Sequence, residues 1–113
     1  MEKPGFLPQV GFSILLALSL KPRHGYEIMQ QVEIDSNGKI KLGPGALYGS
    51  IKTLVAEGLI EETDANASDR RRYYQLSELG KKRLAAELSY FSASVALGRE
   101  RQVLEARGEF LWQ

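Results

Sequence analysis

The chain has 113 residues, 43% of them apolar and 26% charged, with 15 basic against 14 acidic side chains and a net charge of +1. That length fits one hydrophobic core and excludes a second of useful size, and the composition belongs to a folded soluble protein rather than a disordered one. With no cysteine, disulfides and thiolate metal ligands are excluded, and a near-neutral chain can bind nucleic acid only through the placement of its charges.

The first element is the apolar run VGFSILLALSL, residues 10–20. It is too short to cross a bilayer. An acid, a lysine and two prolines precede it and no small-residue cleavage site follows, so it reads as a buried helix and not as a targeting segment. Together with the missing cysteines this points to a cytoplasmic protein without a membrane partner. Pro22 and Gly25 close the helix. A second helix follows over residues 25–34, with Ile28, Met29 and Val32 at helical spacing. His24, the one histidine, stands at its start. It has no partners with metal-ligand spacing, so a helix-start role fits it better than a metal site.

The polar, glycine-rich DSNGKIKLGPG, residues 35–45, reads as a loop whose KIKL centre has room for a very short strand. A third helix covers residues 46–57. Leu47, Ile51, Leu54 and Val55 form its inward stripe, Pro44 suits its first turn and Gly58 its end. Residues 59–63 and 71–76 have strand composition and are joined by turn-forming residues into a β-hairpin. Ser77 can cap a last helix. In that helix Leu84, Leu88, Phe91 and Val95 step by four, three and four, the spacing of a coiled-coil seam. Carried to residue 111, it makes a rod of about 50 Å at 1.5 Å per residue. No further apolar element is left to cover this seam, so a second copy of the helix is its expected cover, which means a homodimer.

The resulting architecture is mainly α with a small β-hairpin: a winged helix-turn-helix over residues 1–77, and a long C-terminal dimerisation helix over 78–113. In such a fold the third helix enters the major groove of double-stranded DNA. Its outward face carries Ala46, Tyr48, Gly49, Ser50, Lys52 and Thr53. Gly45 and Ala46 offer backbone N–H groups to a phosphate. Tyr48 and Ser50 can donate to phosphate, and Lys52 can reach a phosphate or a guanine edge. Tyr48 serves equally well as a packing residue between helices. Lys39 and Lys41 are read as solvated loop charges. Residues 38–52 contain three lysines and no acid. Arg70, Arg71 and Arg72 lie at the tip and return strand of the wing, where arginine suits a phosphate or a narrow minor groove. Strand alternation is expected to put Arg70 and Arg72 on one face and Arg71 on the other. One of Tyr73 and Tyr74 is expected to face the core.

The stretch GPGALYGSIKTLVAEGLIEE, followed by RRRYYQLSELGKKRL, resembles the PadR family of bacterial transcriptional regulators. Pro44, Gly45, Leu47, Tyr48, Leu54, Gly58, Leu59, Ile60, Tyr74, Leu76, Ser77 and Gly80 carry the likeness, with HGYEI (residues 24–28) upstream. It covers roughly residues 10–90 and is similar to the short subfamily. The family commonly has a proline after the helix-three tyrosine, where this chain has Gly49. The resemblance implies a dimeric repressor acting on a pseudo-palindromic site. It also implies a small aromatic effector at the dimer interface, with Phe6, Phe12, Tyr90, Phe91, Ser94, Phe110 and Trp112 as candidate lining; Phe12 and Phe91 are better explained as core or dimer packing. No nucleophile–base arrangement or phosphate-cradling loop is present in the sequence, so neither enzyme activity nor a cofactor is expected. Two other readings stay open: a winged-helix protein-interaction module, and a dimer that carries a small molecule without binding DNA.

Overall fold

A computed structural model of the chain describes residues 5–64 and 70–105. The elements run α1 (Gln9–Leu18), β1 (Arg23–His24), α2 (Gly25–Asp35), α3 (Pro44–Ala56), β2 (Ile60–Thr63), β3 (Tyr73–Leu76) and α4 (Glu78–Glu100). The apolar run at the start is a buried helix, as its composition implies. Ile14, Leu15 and Ala17 are fully buried, and α1 packs against α2, α3, β3 and α4. Around it close Ile28 and Val32 of α2, Leu47, Ile51 and Leu54 of α3, Leu59, Ile60, Tyr74 and Leu76 of the wing, and Leu84 of α4. Full burial of side chains of this size contributes about 1.5–3 kcal/mol each.

The helix ends follow local rules. His24 caps α2 through a capping box: its Nδ1 accepts from the Glu27 N–H at 3.4 Å, and the Glu27 carboxylate accepts from the His24 N–H at 3.2 Å. The far end of α2 closes with Asn37 and Gly38 in the left-handed region, the Gly38 N–H reaching back to the Glu33 carbonyl at 2.8 Å. Pro44 occupies the first turn of α3, and Gly58, at φ +77°, ends it. There the Leu59 N–H bonds the Leu54 carbonyl and the Gly58 N–H bonds that of Val55, which satisfies two otherwise orphaned acceptors.

Four expectations are corrected. The sheet has three antiparallel strands in the order β1–β3–β2, because Arg23 pairs with Tyr74 and His24 with Tyr73. KIKL forms no strand: it pairs with none of the three strands, and its Lys39 and Ile40 N–H groups are taken by the Ser36 carbonyl and hydroxyl at 3.1 and 2.9 Å. Its Ile40 and Leu42 pack half-buried on the core while Lys39 and Lys41 point outward. Val55 is 43% exposed, since α3 meets the core only along Leu47, Ile51 and Leu54. Finally, α4 ends at Glu100, with Gln102 in the left-handed region and the Val103 N–H bonded back to Gly98; its 23 residues make a rod of about 34 Å.

Where α4 begins, Ser77 does three things. Its hydroxyl donates to the Gly58 carbonyl at 2.6 Å and accepts from the Gly80 N–H at 2.9 Å, and its own N–H reaches Leu59. Gly80 then lies against the Leu59 backbone. A Cβ there would stand 2.0 Å from the Leu59 carbonyl oxygen. Both sides of that clash are backbone, so Gly80→Ala must lift α4 off the wing and is expected to cost about 2–4 kcal/mol in urea unfolding. Gly49 is the contrast. A Cβ there meets no atom within 4 Å, so Gly49→Ala in mid-helix is expected to raise stability by about 1 kcal/mol in the same assay. Equal effects from the two substitutions would mean that the contact at Gly80 does not hold the junction together.

Candidate nucleic-acid interface

The third helix presents a smooth outer surface. Its exposed residues include Gly45, Ala46, Tyr48, Gly49, Lys52 and Thr53, and Lys52 is the one charged side chain within α3. The outward face predicted from the sequence is split into two flanks. Gly45, Ala46, Gly49, Ser50 and Thr53 border a cleft of about 330 Å³ shared with Leu7, Pro8, Val10 and Gly11 at the start of α1. Tyr48 and Lys52 border the side facing the wing. Ser50 is half-buried in the first flank; Lys52 stands free of that groove on the second.

On the wing, the residues between 65 and 69 lie outside the described ones, and with them most of the expected turn. Arg70, Arg71 and Arg72 are exposed but precede the ladder, which begins at Tyr73. The alternation expected for them therefore does not apply: without paired backbone, nothing enforces a period of two. The Arg72 Nε lies 3.3 Å from a Glu62 carboxylate oxygen on the neighbouring strand, so part of its charge is answered within the wing. Glu61, the next acid on β2, accepts from the Gln75 side chain at 3.0 Å. Of the tyrosine pair, Tyr74 is the core residue, 5% exposed, and Tyr73 stands edge-on to His24 with ring centroids 5.3 Å apart.

The strand that the sequence did not disclose reorganises this region. By pairing His24 with Tyr73, it sets the wing arginines beside the start of α2. His24, Gly25, Tyr26, Tyr48, Arg71, Arg72 and Tyr74 together border a cleft of about 250 Å³. The Tyr48 hydroxyl rests directly on Gly25, where a Cβ would meet it at 2.4 Å; Tyr48 is thus both a packing residue and half-exposed. Two residues of this region went unread. Tyr26 is 60% exposed at the cleft. Arg23 is 9% exposed, and its Nε donates to the Ala17 carbonyl at 2.9 Å, closing the C-terminus of α1 with a positive charge. The signal for the start of α2 was present as His24 and Glu27, spaced as a capping box.

The expected dimer seam divides as well. Leu84 is 5% exposed within the chain's own core, so it is withdrawn from the seam; α1 and the wing already cover it. Leu88, Phe91 and Val95 are 41, 42 and 38% exposed. The seam is also not wholly without internal cover, because the segment before α1 lies on α4. The Leu7 N–H donates to Glu87 at 2.7 Å, and Arg83 donates to the Gly5 carbonyl. Phe6 stacks near Tyr90 with centroids 4.7 Å apart, and Phe12 meets Phe91 edge-on at 5.3 Å. Four of the candidate effector residues are thereby brought together. The Ser94 hydroxyl is turned back onto the Tyr90 carbonyl at 3.0 Å, and Phe110 and Trp112 lie outside the described residues. Among the described residues no helix is long and apolar enough to cross a membrane, and no three His, Asp or Glu side chains are grouped to hold a metal ion.

Known proteins share this arrangement. An uncharacterized protein of Lysinibacillus sphaericus is 36% identical over 72 residues, which is 61% of this chain and 66%, slightly less than two thirds, of that one. A PadR family transcription regulator of Clostridium difficile superposes with a TM-score of 0.68 at 22% identity, over 82% of this chain and 97% of the other. RosR of H. salinarum gives 0.67 at 24%, over 79% and 77%. ZitR of Lactococcus lactis, solved in complex with DNA, gives 0.66 at 17%, over 89% and 64%. These structural likenesses establish the winged-helix fold with a C-terminal helix. The sequence pattern of the PadR-like transcriptional regulators, a family of regulators and not of enzymes, matches residues 14–86. With nearly two thirds of its length inside that match, the chain belongs to the PadR-like family of transcriptional regulators.

Proposed function

We propose that this protein is a sequence-specific, dimeric repressor that binds double-stranded DNA through residues 1–77 and pairs with a second copy through residues 78–113. One observation carries the DNA reading. The exposed side of α3 holds no acid and a single lysine, and it stands between the wing arginines and the start of α1. A helix surface with a single lysine and no acid lets the backbone come close to base edges while the wing arginines beside it hold phosphates. The likeness to ZitR, solved with DNA, supports the same reading. In it Gly45, Ala46, Tyr48, Ser50 and Lys52 meet the major groove and its rim. Arg70, Arg71 and Arg72 meet the adjacent backbone. Leu88, Phe91 and Val95 meet their copies across a two-fold axis, which places two recognition helices about one helical turn apart on a pseudo-palindromic operator. The family resemblance adds a small aromatic effector. The cluster of Phe6, Phe12, Tyr90 and Phe91 at the middle of α4 is its candidate seat, since spreading those rings would turn α4 and spoil the spacing between recognition helices.

The test is fluorescence anisotropy against a labelled fragment from upstream of the protein's own gene, with a scrambled duplex beside it. Affinity for the native fragment should fall roughly a thousandfold or more between about 50 and 200 mM salt if six or more phosphates are engaged. Lys52→Ala should change the preference between the two duplexes, and Arg70→Ala should weaken both alike. Equal, weak and salt-insensitive binding would move the function to a protein partner. For the dimer, Val95→Glu should turn a dimer into a monomer in sedimentation equilibrium while circular dichroism shows the body still folded, because the charge falls on a 38% exposed position. A wild-type protein that sediments as a monomer would remove the pairing.

A further inference from the structure

At its far end α4 sends the chain back on itself. Gln102 takes the left-handed region at φ +63°, and the Val103 and Leu104 N–H groups both bond the Gly98 carbonyl, at 2.8 and 3.3 Å. The Leu104 side chain then lies on Gly98, where a Cβ would stand 3.4 Å from its Cδ1, and Val103, Leu104 and Glu105 are half-buried. Gly98 continues the seam. Leu88, Phe91, Val95 and Gly98 step by three, four and three, so they share one face of the helix. The returning chain therefore already covers one position of that face with Leu104. Leu88, Phe91 and Val95, next along it, are 41, 42 and 38% exposed.

The direction of return decides what the following residues can reach. A helix continued past Glu100 would carry the apolar run Phe110, Leu111 and Trp112 away from the seam, whereas the turn at Gln102 has started the chain back along α4. Leu88 lies about 15 Å from Gly98 along the axis at 1.5 Å per residue. The six residues from Glu105 to Phe110 span up to about 20 Å when extended, so the apolar run is within reach of the whole strip. We infer that residues 106–112, which lie outside the described ones, cover Val95, Phe91 and Leu88 of their own helix in the monomer. Phe110, Leu111 and Trp112 are the covering side chains, and a second copy must displace them to pair. This rests on the reading of the same strip as the dimer seam, and adds a competitor for it. Tethering favours the tail at low protein concentration, and mass action favours the partner at high.

Trp112 is the one tryptophan in the chain, so tryptophan emission reads this segment alone. The full chain is followed over a dilution series by sedimentation equilibrium and by emission with acrylamide quenching. The dilute monomer is expected to emit at shorter wavelength than free tryptophan amide and to quench several-fold more slowly, and the concentrated dimer to lose that shielding. Val95→Glu is expected to expose Trp112 at every concentration, which an indole buried elsewhere on the body would not show. The double variant Phe110→Ser, Leu111→Ser keeps the reporter; it is expected to expose Trp112 and to tighten the dimer by about tenfold. Quenching like that of free tryptophan in the dilute monomer, shielding that arises only with the dimer, or shielding that Val95→Glu leaves intact overturns the inference. If wild type and double variant both stay monomeric at every concentration, the dimer reading falls instead, while a Trp112 exposed by Val95→Glu still upholds the tail's place on the strip.

Discussion

The structure turns on the close approach of two backbones, the first turn of α4 against Leu59. Only a glycine at position 80 permits it, because a Cβ would stand 2.0 Å from the Leu59 carbonyl oxygen. Within a few residues of that point α3 gives way to Gly58, the wing begins at Ile60, β3 ends at Leu76 and α4 starts at Glu78. Ser77 ties them by bonding Gly58, Leu59 and Gly80 at once. A rotation of α4 therefore cannot be absorbed locally. It must pass to the end of α3 or to the wing, the two elements proposed to meet DNA.

A second contact acts from the opposite end of the body. The segment before α1 lies along α4, with Leu7 bonded to Glu87 and Phe6 against Tyr90, while Leu7 and Pro8 also wall the cleft beside α3. Glu87 is 4% exposed, and its second carboxylate oxygen has no hydrogen-bond partner among the described residues. A buried polar atom without a partner costs about 1–3 kcal/mol, so this residue holds the segment at some expense to stability. The cost is local to the foot of α4. Beyond Phe91, the segment after α4 turns back onto it, with the Val103 N–H on the Gly98 carbonyl, while Val95 and Leu97 remain exposed among the described residues.

The wing is more than a hairpin because two residues, Arg23 and His24, serve several elements. Arg23 closes α1 and pairs with Tyr74; His24 opens α2 and pairs with Tyr73. Capping and strand pairing thus use the same short stretch, and the start of α2 is fixed to the foot of β3. The arginines of the wing are positioned from this fixed end. Their neighbourhood of tyrosines follows from that pairing, and the Glu62 that answers Arg72 is brought in by the pairing of β2 with β3.

Much of this was legible in the residues. The order of elements, the buried first helix, the proline start and glycine stop of α3, the Ser77 cap and the core face at Leu47, Ile51 and Leu54 all follow from periodicity and from end chemistry, which act within about one helical turn. So did the local excess of lysine over acid around α3 and the family to which the chain belongs. Tertiary structure decided what depends on residues far apart in sequence. A two-residue strand carries no periodic signal, so β1 is visible only beside β3. Leu84 and Leu88 look alike in a heptad, and only the packing of α1 and the wing buries the first and leaves the second exposed. Val55 fits an amphipathic stripe, yet the core reaches only half of that face. The candidate site divides along the same line. Its residue types were readable, but the cleft that joins Tyr26, Tyr48 and Arg71 exists because strand pairing and a missing Cβ bring three distant segments within reach of one another.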